Sequence, residues 1–304
     1  PHFASTAVSA ERDIPDQISV RTARQLYALS TYYQAYTAYL PEGAAFLQGR
    51  AIDYGTYDWR SYGPGGIAVS VQYPIGRSEA QPFEHTYNGG GFTIKGISFE
   101  TEGSDLYAGM FGCVTGELRS IVLTTDKKMS DSGAPTASIS TVVQSRTAYN
   151  GALAGLNRGS IYNCAVSGYR LEGHAFSIST FYIGGLVGYN DKTGTIRSSS
   201  VSCPDILASS TFATLRVGGL AGGSSGQIRR SYALASINIP EIREGDVVLA
   251  GLTPENRGTI RQSYCATALS SAGGTTYGFS PNSGSVSGCY YLNDGTYEFA
   301  GSIH

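Results

Sequence analysis

Apolar residues recur along the chain as two short clusters separated by a glycine-containing turn. Each copy reads G-Φ-x-G, a turn, and then G-x-Φ-x-x-small, where Φ is apolar. The second apolar position, called here the anchor, is filled in six copies by Leu118, Ile161, Ile196, Ile228, Ile260 and Val286. Consecutive anchors lie between 26 and 43 residues apart. This drift suits coils of a solenoid with insertions better than the uniform blades of a propeller.

The repeat predicts that each copy forms one coil of a parallel β-solenoid. A single copy cannot bury its apolar face, but the next coil supplies the same positions one strand spacing, about 4.8 Å, away. Corner glycines are expected to take positive φ where the coil bends. Residues three positions past the anchors are expected to share an inward column, in which two cysteines and three serines indicate a small slot: Ile121, Cys164, Ser199, Ser231, Ser263 and Cys289.

Upstream of the repeats, residues 22–33 (TARQLYALSTYY) place apolar residues at helical spacing, with Thr22 as the N-cap. A helix there would cover the exposed edge of the first coil. We predict a loose lead over 1–16 and a single solenoid domain over 17–304. The parts of that domain are a helical cap over 17–43, irregular first coils over 44–107, six repeats over 108–292 and a C-terminal end over 293–304.

Composition narrows the class of protein. Charged residues make up 14% of the chain, while Gly accounts for 40 of 304 residues, Tyr for 22 and Phe for 11. The aromatic residues argue against disorder, and abundant Gly, Ser, Thr and Tyr favour an all-β protein with many turns. A net charge of −2 gives no general attraction to nucleic acid or anionic membranes. No apolar run approaches the ~18 residues of a membrane span, and the start without Met leads us to expect a processed or trimmed chain.

The repeat resembles the GLUG repeat of large bacterial surface and secreted proteins. Examples are filamentous haemagglutinin-like adhesins and the non-catalytic parts of immunoglobulin A1 metallopeptidases. The most similar copies begin at Ile161 (IYNCAVSG), Ile228 (IRRSYALAS) and Ile260 (IRQSYCATA). Upstream, ISVRTARQLYALS from Ile18 and PIGRSEAQPFEHTYNGGGFTIKGISF from Pro74 resemble the entry helix and the following segment of such proteins.

The resemblance covers roughly residues 18–292 and implies a fold. It implies an all-β, right-handed parallel β-helix of about seven to eight coils with a short N-terminal capping helix. Asn88 and Gly90 depart from the family's D-G-N-G string, and residues 60–72 look inserted. The repeat occurs in proteins of many activities, so it specifies the fold better than the function.

Candidate catalytic and metal-binding motifs are few. The G-x-S-x-G string at 222–226 lies in a repeat corner, and no His or Asp is placed to complete a triad. The sequence H-E-x-x-H is absent and the four histidines never reach metal-ligand spacing, so neither a metal nor a cofactor is expected. The five scattered cysteines are expected to be small buried hydrophobes. Asp53, Asp58, Glu79 and Glu84 are the acids to test for catalysis, although roles in turns are the simpler interpretation.

Two repeated columns are expected to point outward. One position past the anchors lie Arg119, Tyr162, Arg197, Arg229, Arg261 and Ser287. The three consecutive arginines would lie about 5 Å apart, which is unfavourable unless anions or acids intervene. They predict either a strip for a sulfated or uronic-acid glycan or an ordinary solvated face. In the second case, acids in the inserts could neutralise them: Glu241, Glu244 and Glu255.

A tyrosine column lies four positions past the anchors at Tyr232, Tyr264 and Tyr290. Aromatic rings repeated at coil spacing either bind the face of a sugar or stabilise the stack by packing on one another. These three tyrosines and the three consecutive arginines are the candidate ligand-binding residues.

The function expected from the sequence is that of a non-catalytic, adhesin-like binding or spacer module, exported and displayed on the surface or envelope of a bacterium. We expect it to be the C-terminal part of a larger product. Its expected partner is a surface glycan or a host or neighbouring protein, with no nucleic acid and no membrane insertion; the oligomeric state stays open. The alternative is a β-helix carbohydrate-active enzyme, a polysaccharide lyase or hydrolase, with two or three carboxylates within ~10 Å in a groove.

Overall fold

The regular structure of the described residues consists of one α-helix and many strands. The computed structural model describes residues 16–54, 73–125, 138–175, 179–211, 213–281, 284–293 and 296–300. Within these residues the α-helix is α1 (Ala23–Tyr36), which is followed by a 3-10 turn over Thr37–Tyr39.

The strands follow one another along the chain in three groups. Those before the first repeat are β1 (Gln17–Val20), β2 (Ala45–Gln48), β3 (Ile52–Asp53), β4 (Thr86–Asn88), β5 (Thr93–Lys95) and β6 (Phe99–Ala108). Those of the repeated coils are β7 (Phe111–Val114), β8 (Glu117–Arg119), β9 (Val122–Thr124), β10 (Ser138–Gly151), β11 (Ala154–Asn157), β12 (Ser160–Tyr162), β13 (Ala165–Ser167), β14 (Arg170–Ala175), β15 (Ser179–Gly184), β16 (Val187–Asn190), β17 (Thr195–Arg197), β18 (Ser200–Ser210), β19 (Thr214–Gly218), β20 (Ala221–Ser224), β21 (Gln227–Arg229), β22 (Tyr232–Ile242), β23 (Val247–Ala250), β24 (Thr259–Arg261), β25 (Tyr264–Ser271) and β26 (Thr275–Tyr277). Those at the C-terminal end are β27 (Ser285–Ser287), β28 (Cys289–Asn293) and β29 (Thr296–Ala300).

The described strands form three sheets. The anchor sheet has nine strands in the order β1-β2-β4-β8-β12-β17-β21-β24-β27. The small sheet has four strands in the order β20-β16-β11-β7, and the remaining strands belong to a large sheet of sixteen. Consecutive strands of the anchor sheet pair in parallel, as the solenoid requires.

One turn of the coil passes through all three sheets in sequence. After β11 in the small sheet, the chain forms β12 in the anchor sheet, β13 to β15 in the large sheet, and then β16 in the small sheet. The described chain makes about six turns of the coil, which confirms the all-β parallel solenoid with a short N-terminal helix. The predicted seven to eight coils are too many. The regular coil stops early because β28 turns back antiparallel into β29 and does not continue the stack.

The anchor residues form one continuous buried column. Ile228 pairs with Ile196 on one side and with Ile260 on the other, and Ile260 pairs with Val286. The column also extends upstream of the repeats, because Leu118 pairs with Tyr87. Each member removes its neighbours from water, so the stack is held together by the hydrophobic effect along its whole axis.

The glycine before each anchor is required by the close approach of successive coils. A Cβ on Gly159 would lie 2.0 Å from the carbonyl oxygen of Gly116. A Cβ on Gly258 would lie 1.9 Å from the carbonyl oxygen of Gly226. Neither Gly159 nor Gly258 has a positive φ. The prediction that corner glycines serve a left-handed backbone is therefore wrong for this column.

Left-handed corners lie instead two positions past the anchors. In the described chain, the non-glycine residues with positive φ are Ser120, Asn163, Ser198, Arg230 and Gln262, with φ between 51 and 54°. Their N–H groups donate to the next coil, for example Arg230 to the carbonyl of Arg261 at 3.0 Å. These hydrogen bonds help to hold a conformation that costs a residue with a Cβ about 1–2 kcal/mol. Gly288, with φ 61°, takes this place in the last coil.

The helix closes the N-terminal end of the stack. The Thr22 hydroxyl accepts a hydrogen bond from the Gln25 N–H at 3.2 Å, which caps α1 as predicted. The buried Tyr33 ring lies 5.1 Å from the ring of Phe83, and its hydroxyl lies 2.6 Å from Nδ1 of His85. This end of the molecule is therefore sealed by aromatic packing with one buried polar pair.

Candidate functional site

The predicted arginine column lies on the outer surface of the anchor sheet. Arg197 pairs in register with Arg229, and Arg229 pairs with Arg261. All three side chains are exposed. We call this column the arginine face; its members are Arg119, Tyr162, Arg197, Arg229, Arg261 and Ser287.

The contacts of the three consecutive arginines are with neutral groups. The Arg197 guanidinium lies 4.6 Å from the ring centroid of Tyr162, a cation–π contact. Nε of Arg229 donates to Oε1 of Gln262 at 3.4 Å, and Nε of Arg230 donates to the same oxygen at 3.2 Å. The positive charge of this region is therefore solvated and not neutralised by these partners.

The acids expected to neutralise the arginine face lie elsewhere. Glu241 pairs with Arg243 at 2.8 Å, and Glu255 pairs with Arg257 at 3.2 Å. For Glu244, the described chain shows a hydrogen bond to its backbone carbonyl and no ion pair with the column. The described residues therefore do not support the interpretation that these three glutamates neutralise the arginines of the column.

Two open concavities lie along the arginine face. One, of about 370 Å³, is bordered by Tyr162, Arg197 and Arg229, and also by Glu117, whose carboxylate pairs with Arg119 at 3.7 Å. The other, of about 420 Å³, lies toward the C-terminal end of the sheet. Its lining includes Arg229, Arg261, Gln262, Ser287, Tyr290 and Phe299. Arg229 borders both, so the two concavities are adjacent along the coil axis.

The predicted tyrosine column divides into two parts. Tyr232 and Tyr264 are in register, and their rings stack at 4.8 Å with an interplanar angle of 8°. Two rings in this arrangement cover each other's faces, so the pair supports the stack. Tyr290 lies beyond them, 48% exposed, and meets Phe299 edge to face at 5.4 Å. Of the three predicted tyrosines, Tyr290 is the one that lines a concavity with the arginines.

A second polar cluster was missed by the sequence reasoning. Tyr149 stacks on Tyr107 at 5.4 Å and on Tyr182 at 5.6 Å. Beside this ladder, Arg158 binds Glu79 at 2.6 Å and Asp191 at 2.7 Å. The tyrosine ladder could have been found in the sequence from the string Y-x-G, which lies at the start of three of the repeats. The acids show no such pattern, because each comes from a different repeat position.

The electrostatics of this cluster favour a fixed network over acid–base catalysis. Burial alone would raise the pKa of Asp191, but hydrogen bonds from Arg158 and the Lys192 N–H outweigh it and lower the pKa. Burial raises the pKa of Tyr149 to about 12. The tyrosine therefore stays protonated and Asp191 stays ionised at neutral pH, so neither group is poised to exchange a proton.

Two of the acids proposed for testing have separate basic partners. Asp53 pairs with Lys95 at 3.6 Å, and Glu79 belongs to the cluster around Arg158. Asp58 lies outside the described residues. In the G-x-S-x-G string, Ser224 is buried and accepts a hydrogen bond from Asn190, as a structural residue would.

The cysteines are buried thiols. All five are unpaired. Burial raises the pKa of Cys113 to about 11 and that of Cys203 to about 12, which keeps both protonated at neutral pH. Within the described chain, no group of three or more His, Cys, Asp or Glu residues is arranged to hold a metal ion, and no helix is long and apolar enough to cross a membrane.

A comparison with known protein families identifies one copy of the repeat. The profile of the GLUG motif matches residues 179–206, which form β15, β16, β17 and the start of β18. The chain carries the GLUG motif. The resemblance found in the repeat pattern is thereby confirmed, and GLUG repeats occur in extracellular bacterial proteins.

One solved structure with a related outline comes from Bacteroides ovatus and is described provisionally as an immunoglobulin A1 protease. It shares 17% identity with this chain at a TM-score of 0.44, over 86% of this chain and 83% of that one. A likeness at this level says nothing of the activity of the present chain. A comparison with curated protein sequences found no match.

Proposed function

We propose that this chain is a non-catalytic binding module of an exported bacterial surface protein, and that its ligand lies on the arginine face. The observation that carries the proposal is that Arg197, Arg229 and Arg261 are adjacent and exposed, with no acidic partner among the described residues. The occurrence of GLUG repeats in extracellular bacterial proteins supports a surface location.

The arginine face suits an extended polyanion. Neighbouring strands of a sheet are about 4.8 Å apart, so the like charges repel one another unless an anion lies between them. Guanidinium groups bind carboxylate and sulfate oxygens through two parallel hydrogen bonds. A linear glycan with repeated anionic groups would meet successive arginines along the coil axis, which no single small ion would do.

The enzymatic alternative is less well supported. A glycosidase needs two carboxyl groups that face each other across about 5–10 Å, with room for the sugar between them. Glu79 and Asp191 are brought together by the fold, but the Arg158 guanidinium occupies the space between them. Glu255 lies at the same tyrosine cluster, where its carboxylate accepts from Tyr182 and pairs with Arg257. Incubation with uronic-acid and neutral polysaccharides should release neither reducing ends nor unsaturated products, and steady release of either would revive the alternative.

A glycan array tests the proposed function directly. The wild type is compared with the triple variant Arg197→Gln, Arg229→Gln and Arg261→Gln. A matched control removes three exposed charges elsewhere, through Arg21→Gln, Lys192→Gln and Arg243→Gln. We expect binding to anionic glycans in the wild type and the control, and its loss in the triple variant. Equal binding by all three proteins, or none by the wild type, would refute the arginine face as a binding surface.

A further inference from the structure

The concavity at the C-terminal end of the arginine face is formed where the regular coil stops. After β27 the chain does not begin another full turn; β28 turns back and pairs antiparallel with β29. This pairing sets Tyr290 opposite Phe299. Two aromatic rings therefore rise at the end of the sheet, next to the last arginine of the column.

Small residues form the floor between these rings and the arginines. Ser287 occupies the position that Arg229 and Arg261 fill in preceding coils, so the column of long side chains ends there. Gly288 takes the left-handed corner with φ 61°, and a Cβ on it would meet nothing closer than 3.8 Å. The space of about 420 Å³ exists because these two positions are nearly empty.

The two sides of the concavity have different chemistry. Arg229 and Arg261 supply positive charge on one side, and none of the lining residues that the structure describes is acidic. Gln262 accepts hydrogen bonds from Nε of Arg229 and Nε of Arg230, which orients those guanidinium groups. On the other side, Tyr290 and Phe299 are 48% and 38% exposed and offer apolar ring surface.

We propose that this concavity binds one anionic sugar residue of a glycan, with its sulfate or carboxylate on Arg229 and Arg261 and its ring against Tyr290 and Phe299. The inference rests on the proposed function and locates the ligand on the arginine face. Guanidinium groups recognise such anions, and aromatic rings pack on the apolar side of a sugar ring. The volume lies within the range of small-ligand sites, about 300–1,000 Å³.

Titration calorimetry with three probes tests the inference: a heparin hexasaccharide, its desulfated form and hexagalacturonate. Ser287→Gln fills the floor while leaving both walls intact, at a position where other coils carry arginine. Arg261→Gln removes one charge, and Arg243→Gln, at an exposed residue away from the face, serves as the control. We expect the first two variants to raise Kd for the anionic probes roughly tenfold or more, and the control to bind as the wild type.

The outcomes separate this inference from the proposed function. Weaker binding of the desulfated form than of the intact heparin hexasaccharide would identify sulfate as the recognised group; equal binding of these two probes would identify the carboxylate, which both carry. If Ser287→Gln and Arg261→Gln bind normally while Arg197→Gln is weakened, the ligand lies in the other concavity, so the present inference fails and the proposed function stands. If the wild type binds none of the anionic probes, the inference fails too, and the glycan array alone decides the proposed function.

Discussion

The interior and the outer surface of the anchor sheet are built from alternating residues of the same strands, but they are constrained very differently. Inside, the repeat anchors are apolar in every coil from Leu118 to Val286, because each side chain packs on the equivalent residue of the next coil. On the outside, the position one residue past each anchor varies from coil to coil. It is Arg119 in the first repeat, Tyr162 in the second, arginine in the next three and Ser287 in the last. Packing determines which residues are acceptable in the inner column. Side chains of the outer column point into water, so packing does not restrict their identity. Three adjacent arginines there are consequently more informative about function than the six buried anchors.

The largest effect is expected where two coils touch through backbone alone. In Gly258→Ala, the new methyl group would lie 1.9 Å from the carbonyl oxygen of Gly226, so the two coils must separate. We expect a loss of ~5 kcal/mol or more, which unfolds many proteins. Gly273→Ala is the control, because the nearest atom to its Cβ is a side-chain carbon at 3.9 Å. Urea denaturation that gives the two variants equal stability would contradict the close-approach explanation.

Truncating an inner anchor should cost somewhat less. Ile228 is 1% exposed and packs between Ile196 and Ile260, so Ile228→Ala leaves a cavity and loses roughly 2–5 kcal/mol of unfolding free energy. Ile228→Val removes a single methylene and should lose about 0.5–1.5 kcal/mol. Thermal and urea unfolding provide both values. A melting curve for Ile228→Ala that superimposes on the wild type would remove this column from the core.

The inner polar column should respond to chemistry as well as size. The Ser231 hydroxyl accepts from the Ser199 N–H at 3.2 Å and donates to the Arg229 carbonyl at 3.0 Å. Ser231→Val leaves that buried N–H without its acceptor and should cost about 1–3 kcal/mol. Ser231→Cys should cost less, because Cys164 fills the same column and donates to the Tyr162 carbonyl. Equal losses for valine and cysteine in urea titrations would show that the column is merely steric.

At the N-terminal end, the interior holds a histidine whose pKa is lowered by burial. Burial lowers the pKa of His85 from its ordinary value of 6.5, although Glu84 opposes the shift. Because the folded state disfavours the protonated ring, this histidine costs the fold no stability well above pH 6.5, the ordinary pKa of the ring. The fold loses stability as the pH falls from 6.5 toward the lower pKa of His85 in the folded state. We therefore expect the melting temperature to fall between pH 7 and pH 5. His85→Gln should flatten this dependence and His174→Gln should retain it; the same slope in both variants would assign the effect to other groups.

The sequence predicts repeated features well and unique ones poorly. The register of Ile196, Ile228 and Ile260 follows from the repeat, because a recurring apolar position must meet its equivalent in the next coil. The contact of Arg158 with Glu79 and Asp191 could not be predicted, since it depends on the lengths of inserts that bring unrelated positions together. The repeat predicts left-handed corners at glycines, because glycine favours positive φ. In the structure, hydrogen bonds between coils hold residues such as Ser198 and Arg230 in that conformation instead.

The candidate site was predicted in part for the same reason. The repeat offset alone locates Arg229 and Arg261 on one outer face. The concavity beside them depends on Phe299, which comes from the antiparallel β29 and lies outside every repeat. A non-repeating segment at the end of a solenoid leaves no periodic signal, so its contribution emerges only from the fold.

If the inner column determines stability and the outer column binds a ligand, as proposed, substitutions at neighbouring residues of one strand should change the two properties separately. For Ile228→Val and Arg229→Gln, both the free energy of unfolding and the Kd for a heparin hexasaccharide are measured at two salt concentrations. We predict that Ile228→Val is destabilised and binds normally. Arg229→Gln should unfold within about 0.5 kcal/mol of the wild type and bind roughly tenfold more weakly, with wild-type affinity falling as salt rises. Unchanged binding by Arg229→Gln, or a loss of stability equal to that of Ile228→Ala, would contradict the account.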